Sequence, residues 1–206
     1  MKSRKRVGDW MQTHTGRAFW PLDPRSEEVD IEDIAHALAQ QNRYAGHTPF
    51  PFSVAQHSVL VSWRCEDLAR GLRADQIKIE ARWGLLHDAS EAYLVDVPRP
   101  VKRHLKGYME IEAEVMNAIE YRFDLHLDPK RVPLYLRADE ELLATEAAIL
   151  FPDRPRSWKL RAKALESVRG SQIFPRSTPC CSRWIYPWDW KRAKTAFLDR
   201  WENVKP

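Results

Sequence analysis

The sequence predicts an all-α fold, and three observations carry that prediction. Apolar residues recur at intervals of three and four in six separate stretches, the period of a helix that buries one face. Most of the 14 prolines fall between those stretches, where they punctuate loops. No stretch alternates apolar and polar residues ahead of a tight-turn signal, so no hairpin is expected, and no internal repeat is found. At 206 residues the chain fits one domain, large enough to bury a core without disulfides or a structural metal.

Composition narrows the function. A net charge of +4 suits an anionic substrate, but the basic residues are scattered apart from 2–6 and 154–169, which falls short of a nucleic-acid-binding stripe. Cys65, Cys180 and Cys181 form neither a C-x-x-C spacing nor an even disulfide framework, so a reducing cytoplasm is the expected setting. No apolar run reaches about 18 residues, so no membrane span is expected.

Taken in order, residues 1–29 lack a helical period and carry Trp10, Trp20, Pro21 and Pro24. They read as an irregular arm, whose aromatics must pack on something, ahead of a domain spanning 30–206. Asp30 can cap a first helix with Ile31, Ile34, Ala35 and Leu38 inward, ending near 43–47 with Gly46 as its stop. After Pro51, Ser53-Val54-Ala55-Gln56 has the form of a capping box, so a second helix begins there and puts His57 on the stripe of Val54, Val61 and Leu68.

A third helix is expected over 74–93, with Ile77, Ala81, Gly84, Asp88 and Glu91 on one face and Pro98 and Pro100 as terminators beyond Asp96. Gly84 leaves room for something to approach the backbone. A fourth helix over 107–123 aligns Tyr108, Ile111, Val115 and Ile119. After Asp128-Pro129, a fifth over 132–150 aligns Leu136, Asp139, Leu143 and Ala147. Residues 152–187 lose the period and suggest a surface excursion with at most a short helix at 157–168. A last helix over 189–203 is expected to bury Trp190, Ala193, Phe197 and Trp201.

Ligand-type side chains stand on several of these apolar stripes. His57, His87 with Asp88, and Asp139 come from three separate helices, and Glu91 follows one turn after Asp88. Burying an unpaired carboxylate costs several kcal/mol, and a metal ion is a common way to offset it. Two imidazoles and two carboxylates form a mixed nitrogen and oxygen set with open positions, as a catalytic divalent metal requires. Each residue alone reads more simply as a satisfied core histidine, a capping aspartate or an Arg partner; the combination is what points to a metal. Cys65, on the His57 helix, reads as packing.

The order H…HD…D, with Glu91 three residues after the HD pair, Asp96 eight after it and Lys102 six further on, resembles the HD-domain metal-dependent phosphohydrolases. Within them the chain is similar to the 5'-deoxynucleotidases and the deoxynucleoside triphosphate triphosphohydrolases of phage and bacteria. The likeness runs over about residues 28–150, with a weaker echo at 193–201. It implies a single HD helical bundle in which His57, His87, Asp88 and Asp139 hold one divalent ion, Zn, Co, Mn or Mg. By the same resemblance, Glu91 and Asp96 handle the attacking water or the leaving oxygen. Lys102 contacts phosphate, Arg43 holds phosphate or sugar, and Tyr44 stacks on the base beside Gly46. Tyr44 stands where the family often has Trp.

The activity implied is hydrolysis of a dNTP, a purine such as dATP, to deoxynucleoside and triphosphate, with 5'-deoxynucleotidase action on dNMPs as the alternative. The resemblance also implies a homo-oligomer, dimer or hexamer. Clustered Arg99, Lys102 and Arg103 favour the triphosphate. A reading of another class is a non-catalytic nucleotide-sensing or nucleic-acid-binding module, the latter using Trp184, Tyr186, Trp188 and Trp190; a binding module has no need of Glu91 and Asp96.

Overall fold

The chain is all-α, and the computed structural model describes residues 5–126, 132–151, 160–165 and 187–206. The helices are α1 (Ile31–Gln40), α2 (Val54–Leu68), α3 (Ala74–Leu86), the single turns α4 (Glu91–Leu94) and α5 (Arg99–Lys102), α6 (Tyr108–Phe123), α7 (Leu134–Leu150) and α8 (Trp190–Val204). Among the described residues, no helix is long and apolar enough to cross a membrane.

Local sequence sets the starts of three helices. Asp30 accepts from the Glu32 amide at 3.0 Å, Ser53 from Gln56 at 3.1 Å and Asp189 from Arg192 at 2.8 Å, each satisfying a donor that the helix leaves unpaired. The first helix stops at Gln40, earlier than 43–47. Beyond it the backbone turns extended and pairs with the entry to α2, Val54 N donating to Gln41 O at 3.0 Å and Arg43 N to Phe52 O at 2.9 Å. Tyr44 and Ala45 then adopt left-handed φ of 58° and 50°.

The arm differs from expectation in having a small hairpin, β1 (Met11–Gln12) against β2 (Ala18–Phe19), antiparallel. Strands of two residues are too short to show an alternating pattern. The turn is held by Gly16 at φ 84° and by Asp33 of α1, which accepts from the Thr15 amide at 2.6 Å and the Thr15 hydroxyl at 2.9 Å. Phe19, fully buried and stacked on Tyr93 at 3.9 Å, is the aromatic that enters the core, whereas Trp10 is 56% exposed and Trp20 packs under the Arg6 guanidinium.

Helices α2 and α3 lie against each other at Gly84. A Cβ there would come within 2.7 Å of Cys65 Sγ and 2.9 Å of Ser62 Cα, so what approaches this glycine is the α2 backbone. Cys65 is buried packing, its thiol pKa pushed up by that burial. Helix α7 packs on both, and α8 packs on α1, α2 and α3 through Ala193, Phe197 and Trp201. Two expected stripes hold only in part: on α8 Ala193, Phe197 and Trp201 are buried while Trp190 is 43% exposed, and on α7 Ala147 is buried as expected, with Ala138, Leu142, Thr145, Glu146 and Leu150, while Leu136 faces solvent. The short helix expected at 157–168 lies mostly outside the described residues, and its described part, 160–165, is not helical. Cys180, Cys181, Trp184 and Tyr186 also lie outside them.

Candidate metal centre

Three elements converge on one point, where the imidazoles are buried and Asp88 and Asp139 are partly exposed. The single helix expected over 74–93 breaks after Leu86, and residues 87–90 form a tighter turn in which Ala89 N donates to Leu86 O at 2.9 Å and Glu91 N to Asp88 O at 3.0 Å. With three residues per turn, side chains at i and i+3 eclipse, so the turn stacks Glu91 over Asp88. His57 projects from the first turn of α2, fully buried, and Asp139 from α7.

His57, His87 and Asp88 each offer a ligand atom, all within 4.8 Å of one another, and this group could hold a metal ion. Asp139 Oδ1 lies 3.2 Å from His57 Nε2 and 4.0 Å from His87 Nε2. Asp88 Oδ2 lies 3.2 Å from His87 Nε2 and 3.8 Å from His57 Nε2. The four side chains singled out on three helices therefore meet.

The imidazole tautomers are set from behind. His87 Nδ1 lies 2.9 Å from the Gly84 carbonyl, which can only accept, so Nδ1 carries a proton and Nε2 faces the carboxylates. His57 Nδ1 lies 2.5 Å from Glu146 Oε1, which orients its ring the same way. Both Nε2 atoms are buried without a well-aligned hydrogen-bond partner. Each Nε2 faces carboxylate oxygens across a gap that either a proton or a divalent metal can occupy, so the donor set fits a metal that displaces protons as it binds.

Charge is concentrated here. Burial opposes ionisation of Asp88, yet His87, His57 and Arg43 hold its carboxyl far below the usual range. Burial likewise works against Asp139, but His57 and His87 hold it at about 2. Glu91 goes the other way, pushed up to about 9 by burial first and then by Asp88 and Asp96. Asp96 is also raised, chiefly by burial.

No protein-family model matches the chain. It is 32% identical over 165 residues to the uncharacterized protein YfdR of Escherichia coli K12, a match covering 80% of this chain and 83% of YfdR. The chain belongs to the YfdR family. It is also 40% identical over 122 residues to the uncharacterized protein RCAP_rcc00048 of Rhodobacter capsulatus, covering 56% of this chain and 59% of that one. Within this YfdR-family chain the same bundle that joins the ligand-type residues also sets their neighbours.

Those neighbours include a residue the sequence analysis did not single out. Glu146, fully buried, takes His57 Nδ1 on one oxygen, and on the other the Tyr44 hydroxyl at 2.6 Å and Arg43 Nε at 3.2 Å. Burial would raise its carboxyl; Arg43 and His57 hold it below its ordinary value instead. The signal was present: Glu146 stands seven residues after Asp139 inside the run Ala144 to Leu150, another carboxylate on an apolar face.

The outer residues are disposed unevenly. Arg43 reaches the ligand group itself, Nη1 lying 3.4 Å from Asp88 Oδ2. Tyr44 is half-buried, its hydroxyl on Glu146 and its ring edge-on to Phe151 at 5.1 Å, the contacts of a packed ring. Gly46, at φ 75°, has open space where a Cβ would stand. Lys102 pairs with Glu112 on α6, while its charge still acts on Glu91 and Asp96.

Proposed function

We propose that this protein is a metal-dependent phosphohydrolase of deoxynucleotides that holds one divalent cation on His57, His87, Asp88 and Asp139. One observation carries the reading: two buried imidazoles, each with its Nδ1 committed, turn unpartnered Nε2 atoms toward two carboxylates. A divalent cation there would neutralise a phosphate oxygen, lower the pKa of a water and favour the ionised form of the carboxylates around it.

The chain's own residues supply the rest. Glu91 is buried with Oε2 unpartnered, which leaves an oxygen to orient a water and take its proton. Water then adds to phosphorus, the phosphate ester P–O bond breaks, and the proton goes to the leaving 5' oxygen, with Asp96 the second carboxyl at hand. Arg43 beside Asp88 and Lys102 near Glu91 and Asp96 provide positive charge for the non-reacting oxygens.

The cluster Arg99, Lys102 and Arg103 supports dNTP, a purine such as dATP, as substrate, releasing triphosphate. A specific observation favours the dNMP alternative: Lys102 is paired with Glu112 and Arg43 with Glu146, so two cations that a polyphosphate would need are already partly neutralised. A panel of dNTPs and dNMPs, incubated with the protein and added Mn, Co, Mg or Zn, separates the two by whether triphosphate or phosphate is released. Release of neither, with every metal, sinks the proposal.

A further inference from the structure

The side chain of Gln41 spans both ends of the segment that carries the two water-handling carboxylates. Its Nε2 donates to the Glu91 carbonyl at 2.9 Å, and its Oε1 accepts from the Asp96 amide at 3.1 Å. The Glu91 carbonyl also accepts from Val95 N at 2.8 Å, which closes residues 91–95 into one turn. Between the two clipped ends stands Val95 at φ 73° and ψ 146°. That is backbone territory a β-branched residue avoids, and it persists only where the surroundings over-determine it. Val95 is 59% exposed, so burial of its own side chain does not hold it there.

Few side chains could make this clip. A primary amide offers one donor and one acceptor in a fixed plane, and here it reads a C=O and an N–H as a neighbouring strand would. A carboxylate at the same place could accept from Asp96 but not donate to Glu91. Gln41 is itself anchored: it is the extended residue that ends α1, and its carbonyl accepts from Val54 N at the start of the helix bearing His57. The clip therefore ties the Glu91–Asp96 turn to the base of α2.

We propose that Gln41 is a positioning residue that holds Val95 in its strained turn and thereby sets Asp96 relative to Glu91, a role that rests on the phosphohydrolase reading above. Relaxed to negative φ at Val95, the chain would leave the turn in another direction and carry Asp96 away from Glu91. The ligands do not depend on the clip, because none of the four lies on the segment 91–96.

The test uses Gln41→Ala, Gln41→Glu and the double variant Gln41→Ala with Val95→Gly. Both single variants should keep wild-type zinc stoichiometry, while amide hydrogen exchange at Val95 and Asp96 quickens about tenfold, as the loss of a hydrogen bond predicts. For the deoxynucleotide that the wild type hydrolyses, kcat should fall about tenfold or more with KM little changed, as for a displaced catalytic group. Glycine adopts φ 73° without strain, so the double variant should regain part of both protection and kcat. Unchanged exchange overturns the clip whatever the activity. Quickened exchange with unchanged kcat overturns the positioning role. A wild-type protein that turns over no deoxynucleotide overturns the phosphohydrolase reading and this role with it, while the exchange data alone still decide the clip.

Discussion

Glu146 Oε1 and His57 Nδ1 lie 2.5 Å apart, and both side chains are fully excluded from solvent. A carboxylate behind a ligating histidine fixes the ring and raises the basicity of its other nitrogen, and its loss typically costs ten- to a hundredfold in metal affinity. Glu146→Gln keeps the shape and one acceptor but removes the charge. Its zinc affinity should fall by about one to two decades by competition against a chelator dye. Glu146→Ala, which leaves the buried Arg43 guanidinium with Asp88 as its remaining carboxylate partner, should destabilise by about 3–5 kcal/mol in urea unfolding. Wild-type affinity in Glu146→Gln would show that the carboxylate does not tune the site.

The pH dependence of the metal-stripped protein follows from two raised groups. Burial and Arg43 disfavour a charged His57, yet Glu146 and Asp139 carry its pKa up to about 9 from an ordinary 6.5. A pKa raised by folding means that the stabilisation is full below pH 6.5 and is lost as the pH rises through 9. Glu91, raised to about 9 from 4.5, has the same sign over a wider window. In EDTA the melting temperature should therefore fall from neutrality to about pH 10. Zinc must displace the His57 proton, so binding at neutral pH should release about one proton by calorimetry in two buffers. A flat melting profile in EDTA would contradict both assignments.

Gly84→Ala places a methyl 2.9 Å from Ser62 Cα, a backbone atom that cannot swing aside. Helices α2 and α3 must separate, and with them His57 and His87. The expected cost is about 1–3 kcal/mol in thermal unfolding, accompanied by weaker zinc binding. Cys65→Ala in the same background relieves the 2.7 Å contact to Sγ but leaves the one to Ser62, so it should restore only part of the loss. Full recovery would mean that the sulfur alone set the spacing.

Glu91→Gln separates a water-handling role from a ligand role. The amide preserves volume but cannot take a proton, so metal content should stay at wild type while kcat falls by about two to four decades. Joint loss of metal and rate would make Glu91 a ligand.

Tyr44 distinguishes ring from hydroxyl. Tyr44→Phe removes the 2.6 Å bond to Glu146 and should cost about 1–3 kcal/mol of stability by leaving a buried carboxylate short of a donor. If the ring also stacks on a base, Tyr44→Ala but not Tyr44→Phe should raise KM for nucleotides by about ten- to a hundredfold. Equal KM in the two variants would assign the ring to packing alone.

Features that depend on neighbours a few residues apart are legible along the chain. Asp30, Ser53 and Asp189 cap helices because a cap bonds to an amide two or three residues ahead. His57, Asp88 and Asp139 were legible because a polar side chain on an apolar stripe is a local anomaly. Tertiary structure decided the rest. The partners of Glu146 and Gln41 lie 89 residues away at His57 and 50 to 55 away at Glu91 and Asp96, separations at which no helical period connects two positions. What the end of a helix meets is likewise set by its neighbours in space, which is why Leu136 and Trp190, both in the first turn of their helices, face solvent although periodicity places them inward. The left-handed Tyr44 and Ala45 have the same origin, since the Arg43–Phe52 pairing and the Tyr44–Glu146 bond, rather than the local preference of their residues, hold the backbone there.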